Sequence, residues 1–275
     1  MKKILIPTDF SPCATDALAV AVQIALKTRA ELFILHMETV PDLTVHAGML
    51  ASAIGEQAPV RKSRSELFRI ADETEHQGLR VHTIFVEDGA GERITDYLLP
   101  YGIDLVVMGS HGHRSFPERI MGSMARKVVR NSLIPVLIIH ELPQQGIRFK
   151  DLLFASTFRR DRSDAIRYMV DLSILFGATL HVLYLNLYFH LIREDSAKET
   201  VERLLSPWPG LKRTITITDT NDESWGIRKF ADMIHADLIG VSLDHQTLAG
   251  RLFNPAAAER LIISESLPLL VMPDH

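Results

Sequence analysis

A single cysteine, Cys13, in a chain of 275 residues rules out an internal disulfide and fits a reducing compartment. No run of eighteen apolar residues occurs, so no segment reads as a membrane-spanning helix and no insertion into a membrane is expected. Met1-Lys2-Lys3 leads straight into a short apolar run without the pattern of a secretory leader, and the expected location is the cytoplasm. An excess of one charge is also missing. Lys and Arg number 30 against 34 Asp and Glu, a formal net charge of −4, so no basic field is present to attract nucleic acid or an anionic membrane surface. Catalytic signatures are equally scarce. The chain has no Gly-x4-Gly-Lys-Ser/Thr phosphate loop, no Gly-x-Ser-x-Gly nucleophile turn, and no HExxH or CxxC metal spacing. What it does have is 47% hydrophobic residues, enough for a core in one large domain or two ordinary ones.

Those residues are arranged as alternating short apolar runs and helical stripes. Ile4-Leu5-Ile6, ended by Pro7, reads as a strand buried on both faces. Ser11 as N-cap with Pro12 at the first helical position starts a helix carrying Ala14, Leu18, Ala21, Val22 and Ala25 on one stripe. Cys13, in its first turn, reads as a packed, inert thiol. Leu32 to Met37 is a second strand in which His36 reads as a satisfied core histidine, with a ligand contact at the strand end as its other reading. A long polar-rich connection from Glu38 to Gln57 leads to a helix from about Pro59 to Gln77. Val81 to Val86 is a third strand, followed by a Gly89-Ala90-Gly91 turn and a helix from Glu92 to Leu99. Leu105 to Met108 and Ile134 to Ile139 are strands four and five. Strands alternating with helices imply a parallel sheet with right-handed crossovers and helices on both faces.

Ligands of such sheets bind beyond the carboxyl ends of the strands, and two features stand there. Asp9 follows the first strand, where the ordinary reading is a turn or capping carboxylate. After the fourth strand the chain runs Gly109-x2-Gly112-x9-Gly122-Ser123, with a helical pattern from Ser123 to Val129. Glycines lack a Cβ, can adopt positive φ and let the backbone approach a ligand. A strand end, an N–H-rich loop and a helix N-terminus together suit an anion, above all a phosphate. No lysine lies between Gly109 and Ser123, which separates this loop from the Walker type.

The chain then repeats itself after a polar linker, Glu141 to Ile147. Adding 148 to the numbering carries Ile4-Leu5-Ile6 onto Leu152-Leu153-Phe154, and Ala30 to Met37 onto Ala178 to Leu185. Adding 133 carries Asp104-Leu105-Val106 onto Asp237-Leu238-Ile239, and Leu133 to Leu137 onto Ser266 to Leu270. The second copy is thus about fifteen residues shorter between its second and fourth strands, where the first has its long connection. Under the same offsets Pro7 becomes Ala155, Asp9 becomes Thr157, Gly109 becomes Ser242, Gly112 becomes His245, Gly122 becomes Pro255 and Ser123 becomes Ala256. The core pattern is kept and the anion loop is lost, so one anion site is expected, in the first half.

Pro7-Thr8-Asp9-Phe10-Ser11, Leu35-His36-Met37, the Gly-x2-Gly-x9-Gly-Ser spacing and Pro135-Val136 together resemble the universal stress protein family in its tandem two-domain form. The resemblance implies an α/β fold of two tandem five-stranded parallel open sheets, of the adenine-nucleotide α-hydrolase-like type, each with strand order 3-2-1-4-5. It sets an intact domain at residues 1–141 and a degenerate one at 149–275. It also implies ATP, alone or with Mg2+, at the strand ends, and pairing of two such domains through their last strands, here Val136–Ile139 with Leu269–Met272. Carried over by position, Asp9 resembles the carboxylate on the ribose, with Pro7 and Thr8 shaping the pocket. Met37 and Met108 resemble the adenine contacts, and Gly109, His111, Gly112, Gly122, Ser123 and Met124 the phosphate loop. His113, Arg114 and Arg119 are further cations of that loop, with a solvated face as their ordinary reading.

The function expected on this resemblance is an ATP-dependent regulatory or stress-response protein, with at most slow ATP hydrolysis because no base stands ready to activate water. Its partners are an adenine nucleotide, a second copy in a homodimer and a protein whose identity the sequence does not give. Two other readings stay open. One is a partner-binding or dimerisation scaffold in which nucleotide is incidental. The other is a carrier whose second half holds a non-nucleotide ligand through Tyr184, Tyr188, Phe189, His181, His190 and His245.

Overall fold

The computed structural model describes residues 1–38, 57–87, 93–111, 122–140, 148–158, 163–188, 192–243 and 267–273. The first half runs β1 (Lys3–Pro7), α1 (Pro12–Thr28), β2 (Glu31–Met37), α2 (Gln57–Glu75), β3 (Val81–Val86), α3 (Leu98–Tyr101), β4 (Leu105–Gly109), α4 (Ser123–Asn131) and β5 (Val136–Ile139). The second runs β6 (Asp151–Ser156), α5 (Ser163–Phe176), β7 (Thr179–Leu187), α6 (Glu194–Leu205), β8 (Arg213–Thr220), α7 (Glu223–Ile234), β9 (Leu238–Leu243) and β10 (Leu269–Pro273).

All ten strands form one sheet in the order β3-β2-β1-β4-β5-β10-β9-β6-β7-β8. Each half has the expected order 3-2-1-4-5, and within each half every pairing is parallel. The halves meet at an antiparallel seam, with Leu269 opposite Ile138, Leu270 opposite Leu137 and Val271 opposite Val136. These residues are all buried, and they alternate between two apolar layers. Leu137, Ile139, Leu270 and Met272 join a cluster that runs under α1, α5 and α6 without a break between halves. Val136, Ile138, Leu269 and Val271 join the cluster beneath α3, α4 and α7. The near-continuous apolar runs seen in the sequence are therefore strands covered on both faces.

Small details repeat with the same offsets. Asp104 Oδ2 accepts the Lys2 and Lys3 N–H groups at 2.7 and 3.0 Å, and Asp237 Oδ2 accepts those of Lys150 and Asp151 at 2.7 and 2.9 Å. Helix α1 ends at Arg29, with φ +58, where α5 is followed by Gly177, with φ +65. Arginine in the left-handed region carries a Cβ clash that glycine avoids. Arg29→Gly should therefore raise unfolding free energy by up to about 1 kcal/mol. Urea denaturation of the two proteins measures this, and an unchanged or lower midpoint contradicts it.

Local differences from the sequence reading follow from particular residues. The helix expected at Glu92–Leu99 is a 3-10 turn, Ile94–Tyr97, followed by the four-residue α3. Asp96 caps the Arg93 N–H at 3.0 Å, Pro100 lacks an N–H, and Gly102 closes the turn at φ +63. Strand β5 starts at Val136 rather than Ile134, because Ser132 Oγ both donates to the Ile134 carbonyl and accepts its N–H, folding a turn there. The connection after β2, the Gly89–Gly91 turn and the linker lie outside the described residues.

Candidate functional site

In the first half the strand order reverses direction at β1 and β4, which are neighbours but lead to crossovers on opposite sides. Such a switch point is where open α/β sheets take their ligands, beyond the carboxyl ends of the strands. Pro7 ends β1 and Thr8 follows it, its N–H donating to the Leu35 carbonyl at 2.8 Å. The next turn is tight. Phe10 takes φ +63, and its N–H donates to Thr8 Oγ1 at 3.0 Å. This strained turn leaves Asp9 exposed at its apex, with Oδ1 accepting the Ser11 N–H at 3.1 Å. The capping role and an outward carboxylate thus coexist. Ser11 Oγ in turn accepts the Ala14 N–H at 3.2 Å, capping α1 as expected.

His36 is a satisfied core histidine. Its Nδ1 donates to the Thr8 carbonyl at 2.8 Å, its Nε2 lies 3.2 Å from Glu38 Oε2, and its ring stacks on Phe10 at 4.4 Å. The Ser63 hydroxyl, and then His36, hold the Glu38 carboxyl below its ordinary range. Met37, the next residue, is half-buried at the end of β2. Met108 is 4% exposed and packs in the layer beneath α4.

The end of β4 and the start of α4 are brought together. The Ser110 N–H donates to the Ile139 carbonyl, and the Gly122 N–H donates to the Ser110 carbonyl, both at 2.8 Å. Gly122 is the N-cap of α4 and supplies no side-chain cap, unlike Ser11 at α1 or Asp222 at α7. Ser123 and Met124 are exposed in the first turn. His111 follows Ser110 and shares a 2.9 Å hydrogen bond between Nδ1 and Ser110 Oγ. Gly112, His113, Arg114 and Arg119 lie outside the described residues.

Of the loop glycines, Gly109 and Gly122 lie among the described residues. Neither Gly109 nor Gly122 has positive φ; that conformation occurs at Gly78, Gly102 and Gly177. A Cβ on Gly109 would lie 3.0 Å from both the carbonyl carbon and Sγ of Cys13. Gly109 therefore lets the end of β4 press against the first turn of α1, a packing reason that sequence spacing does not reveal. Cys13 is 1% exposed and its thiol donates to the Ile139 carbonyl at 3.1 Å, as a packed, inert residue should be.

His140, just past β5, was not among the expected residues. Its Nε2 is buried without a hydrogen-bond partner among the described residues. Burial, with the neighbouring His111, pushes it down from 6.5 to about 4. Because the folded value is the lower one, the unfolded chain takes up a proton first as pH falls. The resulting stability is complete above about pH 6.5 and is lost progressively towards pH 4, on the order of 3 kcal/mol in all. His140→Gln should flatten this acid limb: its urea midpoint should change less between pH 7.5 and pH 5 than that of the wild type. Parallel pH profiles would contradict the assignment.

The second half keeps the frame and alters the contents. Phe158 takes φ +49, donates its N–H to Ser156 Oγ at 3.1 Å and stacks on Tyr184 at 5.3 Å, matching Phe10, Thr8 and His36 in turn. Because this strained turn persists without the aspartate, the fold requires it independently of any ligand. Thr157, in the place of Asp9, is 2% exposed, and Ser242, in the place of Gly109, is 1% exposed with an unpartnered hydroxyl among the described residues. Of the groups suggested for a carrier, Tyr184 is buried in the stack, and His181 is engaged by Thr214 and Asp151 at 2.8 and 3.0 Å. Tyr188 is exposed, and Phe189, His190 and His245 lie outside the described residues. A separate cleft of about 380 Å³ lies between α1 and α2, floored by Ile6 and Ile34 and walled on the α2 side by Ile70. It shares only Thr8 and Phe10 with the strand-end site. Its sequence signal is the small residues Ala14, Thr15 and Ala19 on one face of α1.

Fold and topology together define an open, doubly wound α/β protein of two pseudo-symmetric halves, with a helix N-terminus that has no side-chain cap at the first half's strand ends. The universal stress protein family model matches residues 1–140, and the chain belongs to that family. A universal stress protein of Bacillus subtilis is 31% identical over 144 residues, spanning 50% of this chain and 97% of its own length. One of Methanocaldococcus jannaschii is 28% identical over 141 residues, spanning 50% and 81%. Over the whole chain the fold is similar to that of a universal stress protein from Archaeoglobus fulgidus, with a TM-score of 0.75, 18% identity and coverage of 98% and 96%. A functionally unknown protein from Pseudomonas aeruginosa is similar at 0.70, with 18% identity and coverage of 99% and 92%.

Among the described residues no helix is long and apolar enough to cross a membrane.

Proposed function

We propose that the first half binds one adenine nucleotide, ATP, and that its occupancy regulates the protein rather than feeding a turnover reaction. The observation that carries this reading is the meeting of β4 and α4: Gly122 N–H bonds to the Ser110 carbonyl, and α4 starts without a side-chain cap. The first-turn amides of Ser123 and Met124 then suit phosphate oxygens, favoured by the helix dipole. Gly109, His111 and Gly112 line the chain leading into that loop, and Asp9, held by Ser11, accepts the ribose hydroxyls. Pro7 and Thr8 form the wall beneath it. Met37 and Met108 offer the adenine an apolar bed. Mg2+, where present, rides on the phosphates: among the described residues no three His, Cys, Asp or Glu side chains gather to ligate a metal.

Slow hydrolysis at most follows from the same groups, since they bind and orient but include no placed general base. Residues 149–275 act as the structural partner domain, with Thr157 and Ser242 buried where the first half exposes Asp9 and has a glycine, Gly109. Native mass spectrometry of the freshly purified chain tests this. One adenine-nucleotide mass per chain, retained by a Thr157→Ala variant and reduced in an Asp9→Ala variant, is the expected result. A nucleotide-free chain that ATP fails to load contradicts it.

A further inference from the structure

The antiparallel seam uses the edges of β5 and β10, so the sheet ends at β3 on one side and β8 on the other. An unpaired strand edge is a template for another strand unless it is blocked. Strand β8 lies parallel to β7 with Arg213 opposite Leu180, and the Leu180 N–H donates to the Lys212 carbonyl at 2.9 Å. That bond fixes the parity of the ladder. The backbone groups of Thr214, Thr216 and Thr218 face β7, and those of Arg213, Ile215, Ile217 and Asp219 face outward. Among the described residues no strand pairs with that outer side.

The sequence along this edge, Arg213-Thr-Ile-Thr-Ile-Thr-Asp219, complements itself when turned end for end. Antiparallel pairing centred on Thr216 sets Arg213 opposite Asp219, Thr214 opposite Thr218 and Ile215 opposite Ile217. Directly opposed residues share a face, and opposite charges, β-branched pairs and threonine pairs each favour the ladder. The register also satisfies the backbone, because the residues that become hydrogen-bonded pairs are the four whose N–H and C=O groups face outward. A slip of two residues keeps that parity but separates both Arg–Asp pairs.

We propose that β8 is a homodimer edge, on which a second copy of this chain adds its own β8 antiparallel about Thr216, joining two ten-stranded sheets into one. Arg213 donates to Glu202 and to the Trp208 carbonyl, at 2.8 and 3.2 Å, and Asp219 accepts from Asn186 at 2.8 Å. A guanidinium has five N–H donors and a carboxylate two oxygens, so both retain capacity for a cross-strand partner while being held in place. Ile215 and Ile217 already pack at the margin of the large apolar cluster, which the partner's isoleucines extend. The other edge lacks this symmetry. Val81-His82-Thr83-Ile84-Phe85-Val86 has no acid–base pair to oppose itself, and Arg64 lies over Phe85 at 4.8 Å and pairs with Glu87 just beyond.

Sedimentation velocity of the full chain at rising concentration should show the mass climbing from 30.9 kDa towards twice that value. Thr216→Lys, which opposes two ammonium groups on the dyad, should keep the chain monomeric, with the melting curve of the dilute, monomeric wild type. Under mild oxidation Thr216→Cys should cross-link two chains. Thr214→Cys, on the same face but opposite Thr218, should not, and buried Cys13 stays silent in both. A wild type that remains at one chain's mass overturns the proposal, as does a dimer that survives Thr216→Lys, or equal cross-linking at the two positions. An edge that captures only a different protein's strand appears as the first of these outcomes.

Discussion

Gly122→Val is expected to weaken the proposed ATP binding by at least about a hundredfold, roughly 2.7 kcal/mol or more. Stability should fall by no more than about 1 kcal/mol, the cost of a poorer N-cap. Gly122 has φ −57 and ψ 147, a region open to β-branched residues, so the backbone has no reason to move. Its N–H remains bonded to the Ser110 carbonyl at 2.8 Å. The added methyl groups stand at the mouth of α4, where the phosphate oxygens would reach the amides of Ser123 and Met124. Calorimetric titration with ATP, paired with urea denaturation, separates loss of the site from loss of the fold. Undiminished ATP affinity would sink the site assignment, whereas a large drop in stability would point to a packing role for Gly122.

Leu137→Ala destabilises both halves at once, by about 2–5 kcal/mol. Leu137 is 1% exposed and faces Leu270 across the seam. It belongs to an apolar layer that includes residues from Ile4 to Met272, so the cavity it leaves is shared. The chain has two tryptophans, Trp208 and Trp225, and both lie in the second half. Tryptophan fluorescence therefore reports the second half's response to a change made in the first. The expected result is one transition, shifted equally by fluorescence and by far-UV circular dichroism. If the tryptophan signal holds its wild-type midpoint while the dichroism shifts early, the halves unfold independently and the seam is weak.

Much of the architecture was legible in the sequence because short apolar runs buried on both faces leave a distinct pattern, and because the pattern occurs twice. The offsets that aligned Ile4 with Leu152 and Asp104 with Asp237 are matched by hydrogen bonds: both aspartates cap the N–H groups of the strand lying beside them. The capped start of α1 at Ser11 was readable for the same local reason. Less legible was the segment after β3, where Pro100 and the Arg93–Asp96 contact produce a 3-10 turn and a four-residue helix instead of one regular helix. Of the proposed site, Asp9, Met37, Met108, Gly109, Gly122 and Ser123 were named from spacing and resemblance, and they lie at the carboxyl ends of β1, β2 and β4 or at the start of α4. His140 was missed, since a histidine closing an apolar strand carries no signal of its burial beside His111.

By itself the sequence determined the α/β class, the strand order within each half through its family resemblance, and the loss of the glycine loop from the second copy, because these depend on local periodicity and residue identity. Only the tertiary structure decided why Gly109 must be small, which backbone groups of β8 face outward, and that the two halves share continuous apolar layers across an antiparallel seam. Each of these depends on the element lying opposite: Cys13 of α1 against Gly109, β7 against β8, β10 against β5. A periodic pattern records that a face is buried, but the chain must fold before anything fixes what it is buried against.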